Sequence, residues 1–274
     1  MPELAEVLYF SRRWLPGVGE KIVRVRLDPA KRVFRDAPTN AIRRRLPGVK
    51  MVSAETHGKQ MLFRFGREGW LGVHLGMTGK LSAESPDHLP GKHDHLVLYT
   101  PTRALVFQDP RLFGRIRFAF SPHPPRWWTS LPAEILSREF SILRLGAVLK
   151  RRGRTPLKPL LLLQDFFPGI GNWMADEILW QARLHPRIRA GTLSQPAIVR
   201  LHARIRKVAR DAVRVIGRDW SDPPRSWLFL HRREDGGKCP RCRVPLIRHP
   251  VGGRTTCWCP SCQKAALPRR QRSP

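Results

Sequence analysis

Arg115-Ile116-Arg117-Phe118-Ala119-Phe120 alternates large apolar side chains with cationic or small ones, the period of two that turns one strand face to a core and the other to water. It closes a segment, residues 22–120, of short strand-like runs broken by Gly, Pro and Asp: 22–27, 61–65, 70–75, 96–99 and 104–107. Many short strands separated by turn signals predict a β-sandwich or barrel. Upstream, Leu4, Val7, Leu8, Phe10, Trp14 and Leu15 recur with helical spacing until Pro16-Gly17, so a short helix presents the N-terminus.

Downstream the pattern changes. Ser121-Pro-His-Pro-Pro125 reads as a loop or linker, after which the chain becomes helical. Leu193-Ser194 offers a staple and N-cap for a helix with Ile198, Leu201, Ile205, Val208, Ala212 and Val213 on one face, ending at Gly217. Arg200, Arg204, Lys207, Arg210 and Arg214 fall largely off that face, so the helix is amphipathic and basic. Ser221-Asp-Pro-Pro224 forms a second hinge, and Pro268 to Pro274 is a basic tail expected to be disordered. No internal repeat is found.

A chain of 274 residues with 41% hydrophobic content has material for two or three modules with real cores. Lys and Arg number 51 against 21 acidic residues, a net charge of +30 spread along the whole length, so the folded surface is cationic. A polyanion is the natural partner; a merely solvated basic surface, as in ribosomal proteins, fits charge alone equally well. The longest apolar stretch, around Leu160 to Leu163, is far too short to span a bilayer, and no basic-then-apolar leader opens the chain. A soluble, cytoplasmic protein is expected, nucleoid-associated if bacterial.

Cys239-Pro-Arg-Cys242 and Cys259-Pro-Ser-Cys262 hold four of the five cysteines, which in an unexported chain reads as metal ligation and not as disulfides. Each pair supplies two thiolates to one edge of a tetrahedron, and the insert between them is long enough for a β-hairpin, so one structural zinc ion is expected. Cys257 is left over as a packed small hydrophobe, because structural zinc closes at four ligands. Gly169 and Gly171 permit a tight turn into a helix with Asn172 near its start, an arrangement that binds phosphate but recurs as a plain helix start. At the other end, removal of Met1 would leave Pro2 as a secondary amine beside the Glu3 carboxylate, which is a nucleophile.

Pro2-Glu3-Leu4 with Glu6, Gly58-Lys59, His74-Leu-Gly-Met77-Thr-Gly79, Lys92-His93-Asp94-His95, Asp109-Pro-Arg111-Leu-Phe113-Gly114, Gly169-Ile-Gly-Asn172 and the cysteine module follow one another over about residues 2–264. This ordered set resembles the formamidopyrimidine-DNA glycosylase and endonuclease VIII family. The resemblance implies an α+β architecture: a catalytic β-sandwich with an N-terminal helix (2–120), a linker (121–132), a helix-two-turn-helix domain (133–222), a zinc-finger β-hairpin (223–264) and the basic tail (265–274). Damaged double-stranded DNA would be bound between the lobes by a monomer.

The resemblance also implies roles. Pro2 would attack C1′ of the sugar and form an iminium Schiff base, an α-amino group of reference pKa about 8 being partly neutral at physiological pH. Glu3 would move the proton as the sugar ring opens, and Lys59 would hold the lesion's phosphate or polarise the damaged base. Without the resemblance, Glu3 reads as a first-turn helix acid and Lys59 as a solvated cation. Met77, Arg111 and Phe113 would fill the gap left by a flipped nucleotide, although as bare sequence Met77 and Phe113 are more often core residues. Lys92, His93, Lys158, Asn172 and Arg254 would hold phosphates.

Ala5 and Leu8 stand where the oxidised-purine branch carries proline and an acidic residue, and neither is a reacting group. The stretch from Gly217 to Cys239 is short for that branch, while Leu230-His231-Arg232 and Trp258-Cys259-Pro260 look more like the endonuclease VIII side. The preferred base therefore stays open among 8-oxoguanine, formamidopyrimidines, oxidised pyrimidines, hydantoins and abasic sites. The implied activity is base excision followed by β- or β,δ-elimination. Its alternatives are a damaged- or branched-DNA binding protein without excision and a zinc-ribbon RNA-binding protein.

Overall fold

The structure, a computed structural model, describes residues 1–233 and 236–264, and the expected basic tail lies outside them. Two compact units divide the chain: Met1–Pro132 with Ile216–Trp220, and Ala133–Val215 with the residues from Ser221 onward.

The first unit opens with α1 (Leu4–Arg12) and then stacks two antiparallel sheets. One has the order β1 (Arg24–Leu27), β6 (Asp94–Tyr99), β7 (Ala104–Gln108), β5 (Lys80–Glu84); the other runs β2 (Met51–His57), β3 (Gln60–Phe65), β4 (Gly69–His74), β8 (Arg115–Phe120). Two separate four-stranded sheets make this a sandwich, not a barrel. The alternation in β8 is realised: Ile116 and Phe118 are buried in the core that also holds Trp14, Phe63, Phe65, Leu96 and Phe107. β4 does not alternate, because its other face is covered as well; Trp127 of the short helix α3 (Arg126–Thr129) lies against Gly72. The segment expected to be a linker thus packs on the sandwich, and a His57 ring nitrogen bonds the Pro132 carbonyl oxygen at 2.6 Å.

Sequence periodicity missed β2 and β5. Their sequences are polar, and in each only one side chain, Met51 or Leu81, is buried, so they are made by register with β3 and β7 and not by their own pattern. A further helix, α2 (Thr39–Arg45), packs Ile42 into the same core.

The second unit is helical, with α4 (Ile142–Arg151), α5 (Leu157–Leu161), α6 (Asn172–Gln181) and most of α7 (Gln195–Asp219). Leu201, Ile205, Val208 and Ala212 bury the apolar face of α7, while Arg200, Lys207 and Arg210 stay exposed. Gly217 does not end α7, which runs two residues further; a Cβ at Gly217 would lie 3.2 Å from Leu8 Cδ2, so the glycine admits a close neighbour. The hairpin β9 (Ile247–Val251) and β10 (Arg254–Trp258) completes the unit. Among the described residues, no helix is long and apolar enough to cross a membrane.

Candidate active site and nucleic-acid interface

In the first unit, Glu3 is the N-cap of α1 and only 3% exposed. A capping box forms there, the Glu6 carboxylate accepting from the Glu3 N–H at 3.2 Å. Pro2 is half-buried directly before this cap. Lys59 sits in the two-residue turn between β2 and β3, where Gly58 takes φ +57°, and its Nζ comes within 3.9 Å of Met1 Sδ. The turn lysine is therefore brought to the N-terminus from the far end of a hairpin. His74, opposite Gln60 in the next strand, accepts from the Gly76 N–H at 3.1 Å through Nδ1. Burial, reinforced by the charge of Lys59, pushes this imidazole down to about 4, so it is neutral at physiological pH.

Two loops meet beside it. One, after β4, carries Met77; the other, between β7 and β8, carries Arg111 and Phe113. Met77 and Phe113 are 40% and 43% exposed, which rules out the core reading of both, and the Arg111 guanidinium lies 4.9 Å from the Phe113 ring centroid. The loops are held together by Asp109, whose side chain is fully buried. One carboxylate oxygen accepts from Thr78 Oγ1 at 2.6 Å and from the Arg111 N–H at 3.3 Å, and the other accepts from the Gly114 N–H at 2.7 Å. Gly76 is at φ +62°, and a Cβ there would come within 2.4 Å of the Phe113 carbonyl carbon, so only glycine lets the loops approach. Leu112, between Arg111 and Phe113, adopts φ +57°, a strained conformation that this scaffold enforces. The Asp109 N–H also donates to the His93 carbonyl oxygen, so the exposed Lys92 and half-buried His93 hang from the same anchor.

In the second unit the expected phosphate contacts divide. Arg254 is exposed at the start of β10, just past Gly252 and Gly253 at φ +60° and +74°, the left-handed pair that a tight hairpin turn needs. A Cβ on Gly252 would lie 2.7 Å from Pro159, so the hairpin tip nests on α5. Asn172 begins α6 after an extended Gly171, and its Nδ2 donates to the Thr255 carbonyl oxygen at 2.9 Å. Its Oδ1 is buried without a hydrogen-bond partner. Gln164 braces the turn before it, accepting from the Gly169 N–H and donating to the Ile170 carbonyl oxygen.

Lys158 departs from the expectation of an open phosphate contact. Its side chain is fully buried, with Nζ 2.6 Å from Asp176 Oδ1 and 2.7 Å from the Asn172 carbonyl oxygen. In this conformation it positions the start of α6. Asp176 in turn takes Arg232 and the Cys257 N–H on its other oxygen.

The thiolates of Cys239, Cys242, Cys259 and Cys262 lie within 4.8 Å of one another. Individual Sγ pairs stand at 3.4, 3.6 and 3.9 Å, close to the roughly 3.8 Å edge that bonds of about 2.3 Å to a tetrahedral ion would give. Trp180 Nε1 donates to Cys239 Sγ at 3.4 Å, a bond that steadies a ligand from outside. This is a structural metal site. Cys257 is buried outside the cluster, and burial pushes its thiol up to about 12.

The profile of the formamidopyrimidine-DNA glycosylase N-terminal domain matches residues 1–116, and that of the formamidopyrimidine-DNA glycosylase H2TH domain matches residues 131–222. The chain belongs to the formamidopyrimidine-DNA glycosylase family. The formamidopyrimidine-DNA glycosylase of a Roseiflexus species is 36% identical over 96% of this chain and all of its own length, and that of Solibacter usitatus is 35% identical over the same share. Among solved structures, the Lactococcus lactis enzyme bound non-covalently to DNA containing an abasic site superposes with a TM-score of 0.85 at 26% identity, over 96% of this chain and all of that one. A MutM complex with DNA carrying carbocyclic 8-oxoG reaches 0.85 at 27% identity over the same shares. As a member of the formamidopyrimidine-DNA glycosylase family, this chain is an enzyme of that type.

Two residues central to this geometry carried no role in the sequence. Asp109 stood inside a quoted motif, and the Asp-Pro-Arg run is itself a turn signal that marks it as a loop anchor. Asp176 gave none, because its partners lie 18, 56 and 81 residues away.

Proposed function

We propose that the protein is a base-excision repair DNA glycosylase with AP lyase activity, acting through the amine of Pro2 once Met1 is removed. The observation that carries this reading is the approach of the Lys59 turn to Met1, directly before Pro2 and the buried Glu3 cap of α1. The Pro2 nitrogen attacks C1′ as the glycosidic bond breaks and the base leaves with a proton. Glu3 protonates the ring oxygen, the sugar opens, and the nitrogen lone pair completes an iminium ion. Loss of a C2′ proton then expels the 3′ phosphate and nicks the strand, and a second elimination, with loss of the C4′ proton, expels the 5′ phosphate and releases the sugar. Water finally hydrolyses the iminium and frees Pro2.

The exposed Met77 and Phe113, with Arg111 against the ring, fill the stack vacated by the flipped nucleotide and recover part of the lost stacking. Lys92, His93, Asn172 and Arg254 hold phosphates around it, contacts that position without reading sequence. Lys158 serves the same end indirectly, by fixing the backbone of Asn172. Zinc suits the four thiolates, and when bound it contributes folding free energy to the hairpin that presents Arg254. The enzyme acts as a monomer on damaged duplex DNA.

The test is reductive trapping. Incubation with an abasic duplex and borohydride is expected to yield a covalent adduct at Pro2, in protein whose intact mass lacks Met1. Full nicking activity in a preparation that keeps Met1 would exclude Pro2, whose nitrogen would then be an amide. Tight binding to the damaged duplex without an adduct would favour a binding protein lacking excision. A panel of damaged bases, scored separately for base release and nicking, ranks the substrates.

A further inference from the structure

The C-terminal end of α6 opens onto a groove of about 780 Å³ that the proposed chemistry does not use. Arg200, Arg204 and Lys207 line it from α7 with the i, i+4, i+7 spacing of one helix face, and Arg183 and Arg241 complete a cationic wall. Among the described residues no acidic side chain lines it. Two of these cations have structural work: Arg200 Nε donates to the Ala182 carbonyl oxygen at 2.9 Å, and Arg241 stacks over Trp180 at 4.2 Å. Such contacts suit the negative end of a helix. They do not account for the other cations. Among the described residues, Lys207 pairs with Asp211, an exposed pair of little weight, and the buried Arg204 Nε has no hydrogen-bond partner. A cationic wall whose lining, among the described residues, holds no acidic side chain attracts an anion.

The floor narrows the chemistry. Trp180 and Trp227 are almost wholly buried, so they offer no open ring face on which a base could stack. Guanidinium groups in such a setting match phosphate oxygens. We propose that this groove binds the phosphodiester backbone of a second, single-stranded nucleic-acid segment without reading its sequence. Without an open ring face, the groove holds the backbone of a strand and not its bases. It is also separate from the phosphate contact assigned to Asn172, since the ten residues of α6 put about 15 Å between its two ends.

The experiment uses the full chain saturated with a non-cleavable abasic-analogue duplex, to which a labelled oligothymidylate is added across a salt series. One strand is expected to bind per loaded protein. The double variant Arg204→Gln, Lys207→Gln should weaken that binding tenfold or more and flatten the salt slope by about 1.4, two contacts at ~0.7 each on single strands. Its affinity for the abasic duplex and its rate of nicking should be unchanged, which separates failure of this proposal from failure of the lesion site. Lys207→Gln alone, on an exposed side chain, should give half the slope change and stands in if the double variant folds poorly. No strand bound by loaded protein, or equal binding by the variants, would overturn the proposal. So would displacement of the strand by polyglutamate of equal charge, which would give the groove to an acidic polypeptide.

Discussion

Asp109 in the first unit and Asp176 in the second are both fully buried carboxylates that tie distant segments together, yet they are satisfied by different means. Asp109 has only neutral donors among its hydrogen bonds, one hydroxyl and two backbone N–H groups. Asp176 has two cations, Lys158 and Arg232, and one backbone N–H. Neutral donors fix geometry without committing a counter-charge, so the loops around Asp109 can carry exposed Met77 and Phe113 on a rigid base. The ion-paired hub instead buries a lysine ammonium that would be ruinous alone. One site is built for position and the other for mutual neutralisation.

The largest effect should come from breaking that neutralisation. Asp176→Ala removes the carboxylate paired with the buried Lys158 ammonium, and loss of one partner of a buried pair costs about 3–5 kcal/mol. Urea unfolding of the full chain measures it. Lys158→Met should cost less, because Arg232 remains to neutralise Asp176. Equal losses would mean that Arg232 does not share the charge, and the comparison with Asp109 would have to be redrawn.

Glu177, the next residue, takes its hydrogen bonds from neutral donors, the Gln181 side chain and the Phe229 and Leu228 backbone N–H groups. Burial pushes its carboxyl up to about 7, so the folded state holds a proton that the unfolded chain releases near 4.5. The associated stability is therefore full below about pH 4.5 and is lost as pH rises through 7, a loss of about 3 kcal/mol at 1.36 per unit. Glu177→Gln should remove this slope. Relative to that variant, the parent should be weaker above pH 7 and level with it below 4.5, measured by unfolding across pH.

The neutral hub should yield a smaller stability change with a sharper functional signature. Asp109→Asn keeps one acceptor oxygen but sets an amide against the Gly114 N–H, at a cost of about 1–3 kcal/mol. If the loops present the stack-filling side chains, excision of a base paired in duplex should slow about tenfold or more. Nicking of a pre-formed abasic site, which needs no base extruded, should fall much less. Met77→Ala should reproduce that split without the stability loss. Equal slowing on both substrates would reduce Asp109 to a merely structural acid.

These residues also show where sequence reading reaches and stops. The strands with apolar alternation, the face of α7 and the four-cysteine site are local patterns, each written within one element or one spacing. β2 and β5 were invisible because pairing, not composition, makes them strands. The burial of Lys158 was not legible for a related reason: it is decided by Asp176 on another helix, and nothing near Lys158 in the chain announces that partner. Gly217 looked like a helix end, whereas it is a close approach. What was missed is consistently long-range.

The smallest effect tests the exposed edge of the second unit. Arg254 lies on the solvent side of the hairpin, so Arg254→Ala should leave stability within about 0.5 kcal/mol of the parent, the usual range for surface substitutions. As a phosphate contact it should instead weaken binding to damaged and undamaged duplexes alike and reduce the salt slope by about 0.9, one counterion's worth. Asp176→Ala is expected to behave in the opposite way, with a large loss of stability and no loss of a surface charge that could release a counterion. Measuring both variants by unfolding and by binding across a salt series therefore separates the two kinds of contribution. An unchanged salt slope for Arg254→Ala would remove this arginine from the interface, leaving the hairpin's contact to Asn172, whose amide already reaches the backbone of Thr255.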